Sequence, residues 1–99
     1  MPKEPHITME YGENLAILAL GFLAGDPERL GRFLSLAGIG PESVRQAARD
    51  PEFLAGVLDH VTSDEPLLLA VAEHAGVKPE AVMRARAALS GQAWEREVP

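Results

Sequence analysis

The segment LAILALGFLA, residues Leu15 to Ala24, decides the fold that this sequence predicts. It carries no charged side chain and no side-chain hydrogen-bonding group. A helix that is apolar on every side is normally enclosed by protein, and this one is too short for a bilayer, which needs about 20 apolar residues. Gly21 would let a neighbouring helix approach closely. We therefore predict a buried central helix, in which replacing Leu18 or Phe22 by Ala costs about 2 to 5 kcal/mol.

Helix start and stop signals divide the rest of the chain into five further short helices. Asp26-Pro27 and Asp50-Pro51 are strong starts, because the carboxylate caps free N–H groups and proline loses no helical hydrogen bond there. Gly38, Gly76 and Gly91 follow apolar stripes of helical spacing and predict helix ends. No stretch alternates with a period of two residues, so the predicted fold class is all-α. The six helices are predicted to begin near Glu10, Asp26, Gly40, Asp50, Ser63 and Lys78.

Two parts of the chain resemble each other. When residue 26 is placed on residue 64, the segment 26–48 superposes on the segment 64–86 with several identities, and the first helix falls on the fourth. One interpretation is a duplication that gives two three-helix units. The other is convergence, because glycine stops and Pro-Glu starts are imposed by helix ends in any case.

The composition fits one acidic domain without covalent cross-links. The 99 residues include no cysteine, which excludes disulfides and thiolate chemistry, and the net charge of −6 opposes binding to nucleic acid or anionic membranes. The start of the chain lacks the order of a secretory signal, so a cytoplasmic protein is expected. The predicted organisation is a flexible arm over residues 1–9, a helical domain over residues 10–91 and a tail over residues 92–99.

Patterns typical of catalysis or metal binding are weak. His6, His60 and His74 have no second ligand at chelating spacing, and the last two lie near helix ends, where histidine satisfies backbone carbonyls. Ser43 and Ser63 lie at predicted helix starts, which is where serine acts as a cap. We therefore predict no enzyme activity, no cofactor, no metal and no identifiable small-molecule substrate.

The second repeat has the spacing of a helix-turn-helix corner, with small Ala72, turn-forming Gly76 and apolar Val82. A DNA reader would place hydrogen-bond donors at the start of the second helix, where this chain has Pro79 and Glu80. Nucleic-acid binding is therefore kept as the alternative function rather than the favoured one. Its candidate residues are Lys78, Arg84 and Arg86.

The predicted tail contains the only tryptophan, Trp94, among charged residues. Tryptophan is common in interaction hot spots, although Trp94 folding back to cap the core is the other interpretation. Leu67 and Leu69 widen the apolar stripe of the fifth helix beyond what a core needs, as Phe53 does for the fourth. The favoured function is a non-catalytic protein-interaction module, binding another protein or a second copy. Its candidate residues are Trp94, Arg96, Val98, Leu67 and Leu69.

Several separate segments carry a family resemblance. They are ALGFLA at 19–24, FLAGVLD at 53–59, SDE at 63–65 followed by Leu67-Leu68, and WER at 94–96 followed by Val98-Pro99. Together, over residues 14–99, they resemble a family of short alphaproteobacterial proteins known as a domain of unknown function. The resemblance implies a small cytoplasmic bacterial protein, and it supplies no activity, ligand or catalytic residue.

Overall fold

Helices make up nearly all of the chain in the computed structural model, which describes the backbone of residues 9–97 and the side chains of residues 9–90. This part of the chain contains no strand, so the predicted all-α fold is confirmed. The predicted arm lies outside the described residues except for Met9, which begins the first helix. The helices are α1 (Met9–Ala24), α2 (Pro27–Ala37), α3 (Val44–Ala47, after a 3-10 turn at Pro41–Ser43), α4 (Pro51–Thr62), α5 (Glu65–Ala75) and α6 (Pro79–Glu97).

Aspartate side chains cap the starts of α2, α4 and α5. One carboxylate oxygen of Asp26 accepts hydrogen bonds from the N–H groups of the second and third residues after it, at 3.2 and 3.4 Å. Asp50 accepts from the N–H of Glu52 at 3.0 Å, and Asp64 from that of Leu67 at 3.4 Å. The fifth helix begins within the predicted segment 63–65, but Ser63 is not its cap, because Ser63 ends α4 and its hydroxyl donates to a carbonyl of that helix at 2.9 Å. Asp64 takes the cap position because a carboxylate is at least as good an N-cap as a hydroxyl.

Glycines in the left-handed conformation end α2 and α5 in the same way. Gly38 has φ 77° and Gly76 has φ 73°. Residues other than glycine rarely adopt such positive φ values, because their Cβ atom clashes with the backbone. The N–H of the following residue, Ile39 or Val77, donates back into the last turn, at 3.2 and 2.9 Å respectively. The two corners therefore match, as the internal similarity predicts. The helices after them do not, since α3 spans Val44–Ala47 and α6 spans Pro79–Glu97.

The predicted end of the sixth helix at Gly91 is wrong. The backbone of α6 continues through Gly91 to Glu97, so Trp94 and Arg96 lie on this helix rather than in a separate tail. A single glycine inside a helix costs only about 1 kcal/mol relative to Ala. The residues after Gly91 include good helix formers such as Gln, Ala, Glu and Arg, and no proline occurs before Pro99. A glycine without a following proline is therefore a weak stop signal.

The core is formed where α1, α4 and α6 pack against one another. The helix α5 packs against all three, and α2 covers one side of α1 and α4. No polar side chain is buried among the described residues, so apolar burial holds these helices together. The largest fully buried side chains are Leu23, Leu54, Val57, Leu58, Val61, Leu67, Val71 and Val82.

The prediction that the first helix is enclosed on every side is wrong. Ile17 and Leu18 are 48% and 47% exposed, and Phe22 is only partly buried. The neighbouring helices cover one face of α1, and within residues 9–90 no further element covers the opposite face. The helix therefore lies at the side of the core. Its buried positions are Gly12, Leu15, Ala16, Ala19, Leu20 and Leu23.

The close approach to a neighbouring helix occurs at Gly12 rather than at Gly21. A Cβ atom added to Gly12 would lie 3.2 Å from the carbonyl oxygen of Ala85 and 3.3 Å from Cγ of Leu89, both on α6. A Cβ atom added to Gly21 would meet no atom of the described residues within 4 Å. Glycine at position 12 therefore allows α1 and α6 to pack closely.

Alanine at these two glycines is expected to change stability in opposite directions. Gly21→Ala should raise the free energy of unfolding by about 0.5 to 1 kcal/mol, because Ala is the better helix former and its methyl group meets open space. Gly12→Ala should lower it by about 1 kcal/mol, because the α6 backbone must shift to admit the methyl group. Urea unfolding of both variants measures the difference. A Gly12→Ala protein as stable as Gly21→Ala would show that α1 and α6 are not in close contact.

Candidate functional site

A groove lies on the surface between α2 and α4, lined by residues in the second half of α2 and along α4. Its volume is about 420 Å³, and it is open to solvent along its length. We call it the α2/α4 groove. It is lined by Phe33, Leu36 and Ala37 on α2 and by Asp50, Glu52, Phe53, Gly56 and His60 on or beside α4.

Three aromatic rings form the floor of the α2/α4 groove. Phe33 is buried, and its ring centroid lies 5.7 Å from that of Phe53 and 5.1 Å from that of His60, both at tilted angles. Gly56 lies one turn from each of the other two rings on α4, and its missing side chain leaves the space above the floor open. The floor is therefore apolar, fixed by the core, and accessible to a side chain that enters from outside.

Leu36 forms the rim of the groove and is 73% exposed, more than any other large hydrophobic residue described. Burying a leucine side chain fully is worth about 1.5 to 3 kcal/mol. Ala37 beside it is also exposed, so the apolar surface continues along the end of α2. An apolar side chain placed in the groove would cover Leu36 and contact the aromatic floor at the same time.

The imidazole of His60 has a lowered pKa, which favours its uncharged form. Burial against the aromatic floor is the main cause that lowers the pKa of His60, and the nearby guanidinium groups of Arg32 and Arg29 lower the pKa further. The carboxylate of Asp64 opposes this and raises the pKa, but the net direction is downward. The lowered pKa favours the neutral ring, in which one nitrogen can donate and the other can accept a hydrogen bond.

The structure separates the residues that the sequence predicts as a partner surface. The prediction that Leu67 lies on the partner surface is wrong, because Leu67 is 1% exposed and belongs to the core. It is buried because α5 packs against α1, α4 and α6, so its wide apolar stripe is used inside the domain. Leu69 is 49% exposed on the outer side of α5. The side chains of Trp94 and Arg96, and all of Val98, lie outside the described residues, so the two interpretations of Trp94 stay predictions.

The predicted helix-turn-helix corner has the expected geometry. Ala72 and Val82 are buried on either side of the turn at Gly76. Its three candidate basic residues are all exposed, and Arg86 forms an ion pair with Asp59 of α4. Within the described residues the corner therefore offers two cations without an ion pair, on a protein with a net charge of −6, and nucleic-acid binding is not favoured.

The histidines are used in packing where the structure describes them. His74 stacks at a tilt on Phe22, with the ring centroids 5.3 Å apart, and His60 packs on Phe33 as described above. Among residues 9–90, no three His, Asp or Glu side chains are close enough to hold one metal ion. His6 lies outside the described residues.

Sequence reasoning missed the α2/α4 groove, although one signal was present. The spacing places Phe33 in the apolar stripe of its helix and His60 near a helix end, and it gives no sign that the two rings meet across two helices. Leu36 falls outside the stripe of Leu30, Phe33 and Leu34, and a large apolar residue on a predicted outer face indicates an exposed apolar site.

Comparison with known proteins gives a family and no activity. The family model described as a protein of unknown function (DUF3572) matches residues 9–92, which are most of the chain. No curated protein and no solved structure matches the chain significantly. None of the described helices is both long and apolar enough to cross a membrane.

Proposed function

Because this chain belongs to the DUF3572 family, whose description names no activity, we propose a function from the surface itself: a non-catalytic protein-interaction module. Its binding site is the α2/α4 groove, and its ligand is an apolar side chain on a segment of a partner protein. The observation that carries the proposal is Leu36, an exposed leucine directly beside an aromatic floor. Exposed apolar patches with polar edges are typical of protein-binding sites.

The shape of the groove favours a polypeptide over a small molecule. Small-molecule sites commonly bury 70 to 90% of the ligand surface. The α2/α4 groove is open along its length, so a compact ligand would keep much of its surface in water. A helix or extended segment can instead insert one or two side chains and cover the rim with the rest of its surface. The acidic net charge separately opposes nucleic acid as the partner.

The polar groups of the domain support a non-catalytic role. The side chains of Asp26, Asp50 and Asp64 cap helices, and the hydroxyls of Thr62 and Ser63 donate to backbone carbonyls of α4. These groups therefore have structural partners. In the groove, Asp50 and Glu52 lie at the start of α4, and His60 contributes its ring to the aromatic floor.

A charge placed on the rim is expected to abolish binding in the groove. Peptides that bind the full chain are selected from a randomised display library, and their affinities are then measured for Leu36→Glu and Leu69→Glu. Leu36→Glu should weaken them at least tenfold, because a carboxylate beside the aromatic floor must be desolvated when the peptide binds. Leu69→Glu is the matched control, because Leu69 is a leucine on α5 that is 49% exposed and does not line the groove.

Two results would contradict this proposal. One is a library that yields no peptide specific for the native chain. The other is a set of selected peptides that lose affinity equally on both variants, or on Leu69→Glu alone. Circular dichroism of each variant confirms that the fold is retained before affinities are compared.

A further inference from the structure

A second apolar hollow lies between the second half of α1, α2 and α3. Its volume is about 380 Å³, and it shares no lining residue with the α2/α4 groove. We call it the α1/α3 hollow. Its apolar lining comes from Leu20 and Ala24 on α1, Leu30 on α2, and Val44 and Ala48 on or beside α3.

The apolar surface of this hollow is only partly covered by the domain itself. Leu30, Val44 and Ala48 are half-buried, and neither α3 nor the 3-10 turn before it contains a fully buried residue. Removing such apolar surface from water is favourable, so an apolar side chain from outside stabilises a complex when it covers these residues.

Two arginines make the edge of the α1/α3 hollow positive. Arg45 lines this hollow and also an adjoining surface hollow, which Arg49 lines with it. Both arginines are exposed, and neither forms an ion pair with a residue of the described chain. Because both line one hollow, their like charges repel each other, and an anion bound beside them relieves this repulsion.

The nearby carboxylates do not neutralise both arginines. Glu42 is the one acid that lines either hollow in the described part of the chain. Its carboxylate lies against Gly40, where an added Cβ atom would be 2.6 Å from Oε2 of Glu42. Asp50 directly follows Arg49, but its carboxylate caps α4. One lining carboxylate against two guanidinium groups leaves the edge positive, on a protein with a net charge of −6.

An apolar hollow with a positive edge matches an apolar side chain that has a carboxylate close to it. Arginine binds carboxylates through two parallel hydrogen bonds, and Arg45 lies on the wall of the hollow itself. The net charge of −6 opposes nucleic acid and anionic membranes, and none of the described lining residues is an aromatic on which a base could stack. A segment of a partner protein supplies both groups together.

We propose that the α1/α3 hollow is a second protein-binding site, for a partner segment that carries an apolar residue close to Asp or Glu. The apolar side chain fills the hollow against Leu30 and Val44, and the carboxylate pairs with Arg45 and Arg49. This inference goes beyond the proposed function and does not depend on the α2/α4 groove. A chain with both sites binds two partner segments, as an adaptor does.

Reversing the charge of the edge tests the carboxylate contact. Peptides are selected from a randomised display library on the full chain and, separately, on the variant Arg45→Glu/Arg49→Glu. Acidic residues near an apolar one should be enriched on the native chain, and basic residues in their place on the variant. Fluorescence polarisation at low salt should show at least tenfold weaker binding of the acidic peptides to the variant. The matched control is Lys78→Glu/Arg84→Glu, which changes the net charge equally at two exposed cations that line neither hollow.

Filling the hollow tests the apolar contact separately. Ala24→Phe places a larger side chain in the hollow and leaves both arginines unchanged, and Ala24 is exposed at the end of α1, so the fold should be retained. This variant should also weaken the acidic peptides at least tenfold. Leu36→Glu, in the α2/α4 groove, should leave their affinity unchanged. Circular dichroism of each variant checks the fold.

The outcomes separate this inference from the proposed function. The second site is wrong if no acidic peptide is selected, if both double variants weaken the peptides equally, or if Ala24→Phe has no effect. Peptides that depend on Leu36 would still support the proposed function in each of these cases. Conversely, acidic peptides that depend on Arg45 and Arg49 would support the second site even if no peptide depends on Leu36. Arginine-dependent binding to phosphatidylglycerol vesicles, with no acidic peptide selected, would overturn the assignment to a protein partner.

Discussion

Leu23→Ala is expected to lower the free energy of unfolding by about 2 to 5 kcal/mol, a large part of the 5 to 15 kcal/mol typical of folded proteins. Leu23 is fully buried in the core, and the truncation leaves a cavity that close-packed neighbours fill only in part. The same substitution at Leu18, on the same helix, should cost about 1 kcal/mol or less, because that side chain is 47% exposed. Chemical denaturation followed by circular dichroism measures both values.

The comparison tests on which side α1 packs. Equal losses for the two variants would mean that α1 is enclosed on all sides, as its uniformly apolar sequence first predicts. A larger loss for Leu18→Ala would place the exposed and buried faces of the helix the wrong way round. Both substitutions remove the same atoms from the same helix, so intrinsic helix propensity cancels.

Phe33→Ala is expected to cost about 3 to 5 kcal/mol and to remove the floor of the α2/α4 groove. The ring is buried between Phe53 and His60, so its loss leaves a cavity and frees both neighbours. Leu36→Ala, one turn away on the same wall, should change stability by no more than about 0.5 kcal/mol, because the leucine is largely in water. Thermal or urea unfolding checks both values.

These two variants also separate folding from binding. Leu36→Ala should weaken groove-directed peptides while leaving the unfolding midpoint unchanged, which only a residue used for binding would do. A stability loss at Leu36 comparable with that at Phe33 would show that Leu36 is part of the core. In that case the groove would lose the observation on which its assignment rests.

Local signals made the helix boundaries predictable. Asp26 and Asp50 cap the helices that they were predicted to start, and Gly38 and Gly76 end theirs, because each interaction involves neighbours within about four residues. The wrong prediction of a helix end at Gly91 also comes from a local signal. A stop signal there depends on left-handed geometry at the glycine, and the sequence shows only that glycine permits this geometry.

The burial of individual side chains was less predictable, because it depends on which helices meet. An apolar stripe shows that a helix can be buried but not how many neighbours it has. Leu67 was assigned to the surface and is in the core, whereas Leu18 was assigned to the core and is half exposed. The α2/α4 groove could not be predicted for the same reason, since Phe33 and His60 are distant in sequence and meet only because α2 and α4 pack together.

The contact at Gly12 also determines the order in which the domain can form. Gly12 lies on the first described helix and contacts Ala85 and Leu89 on the last. This contact therefore joins residues that are far apart in the sequence. The corner between α4 and α5, in contrast, closes between neighbours in sequence and can form early. During synthesis, α2, α4 and α5 can cover part of the apolar face of α1 before α6 is made, but the surface around Gly12 stays exposed until α6 follows.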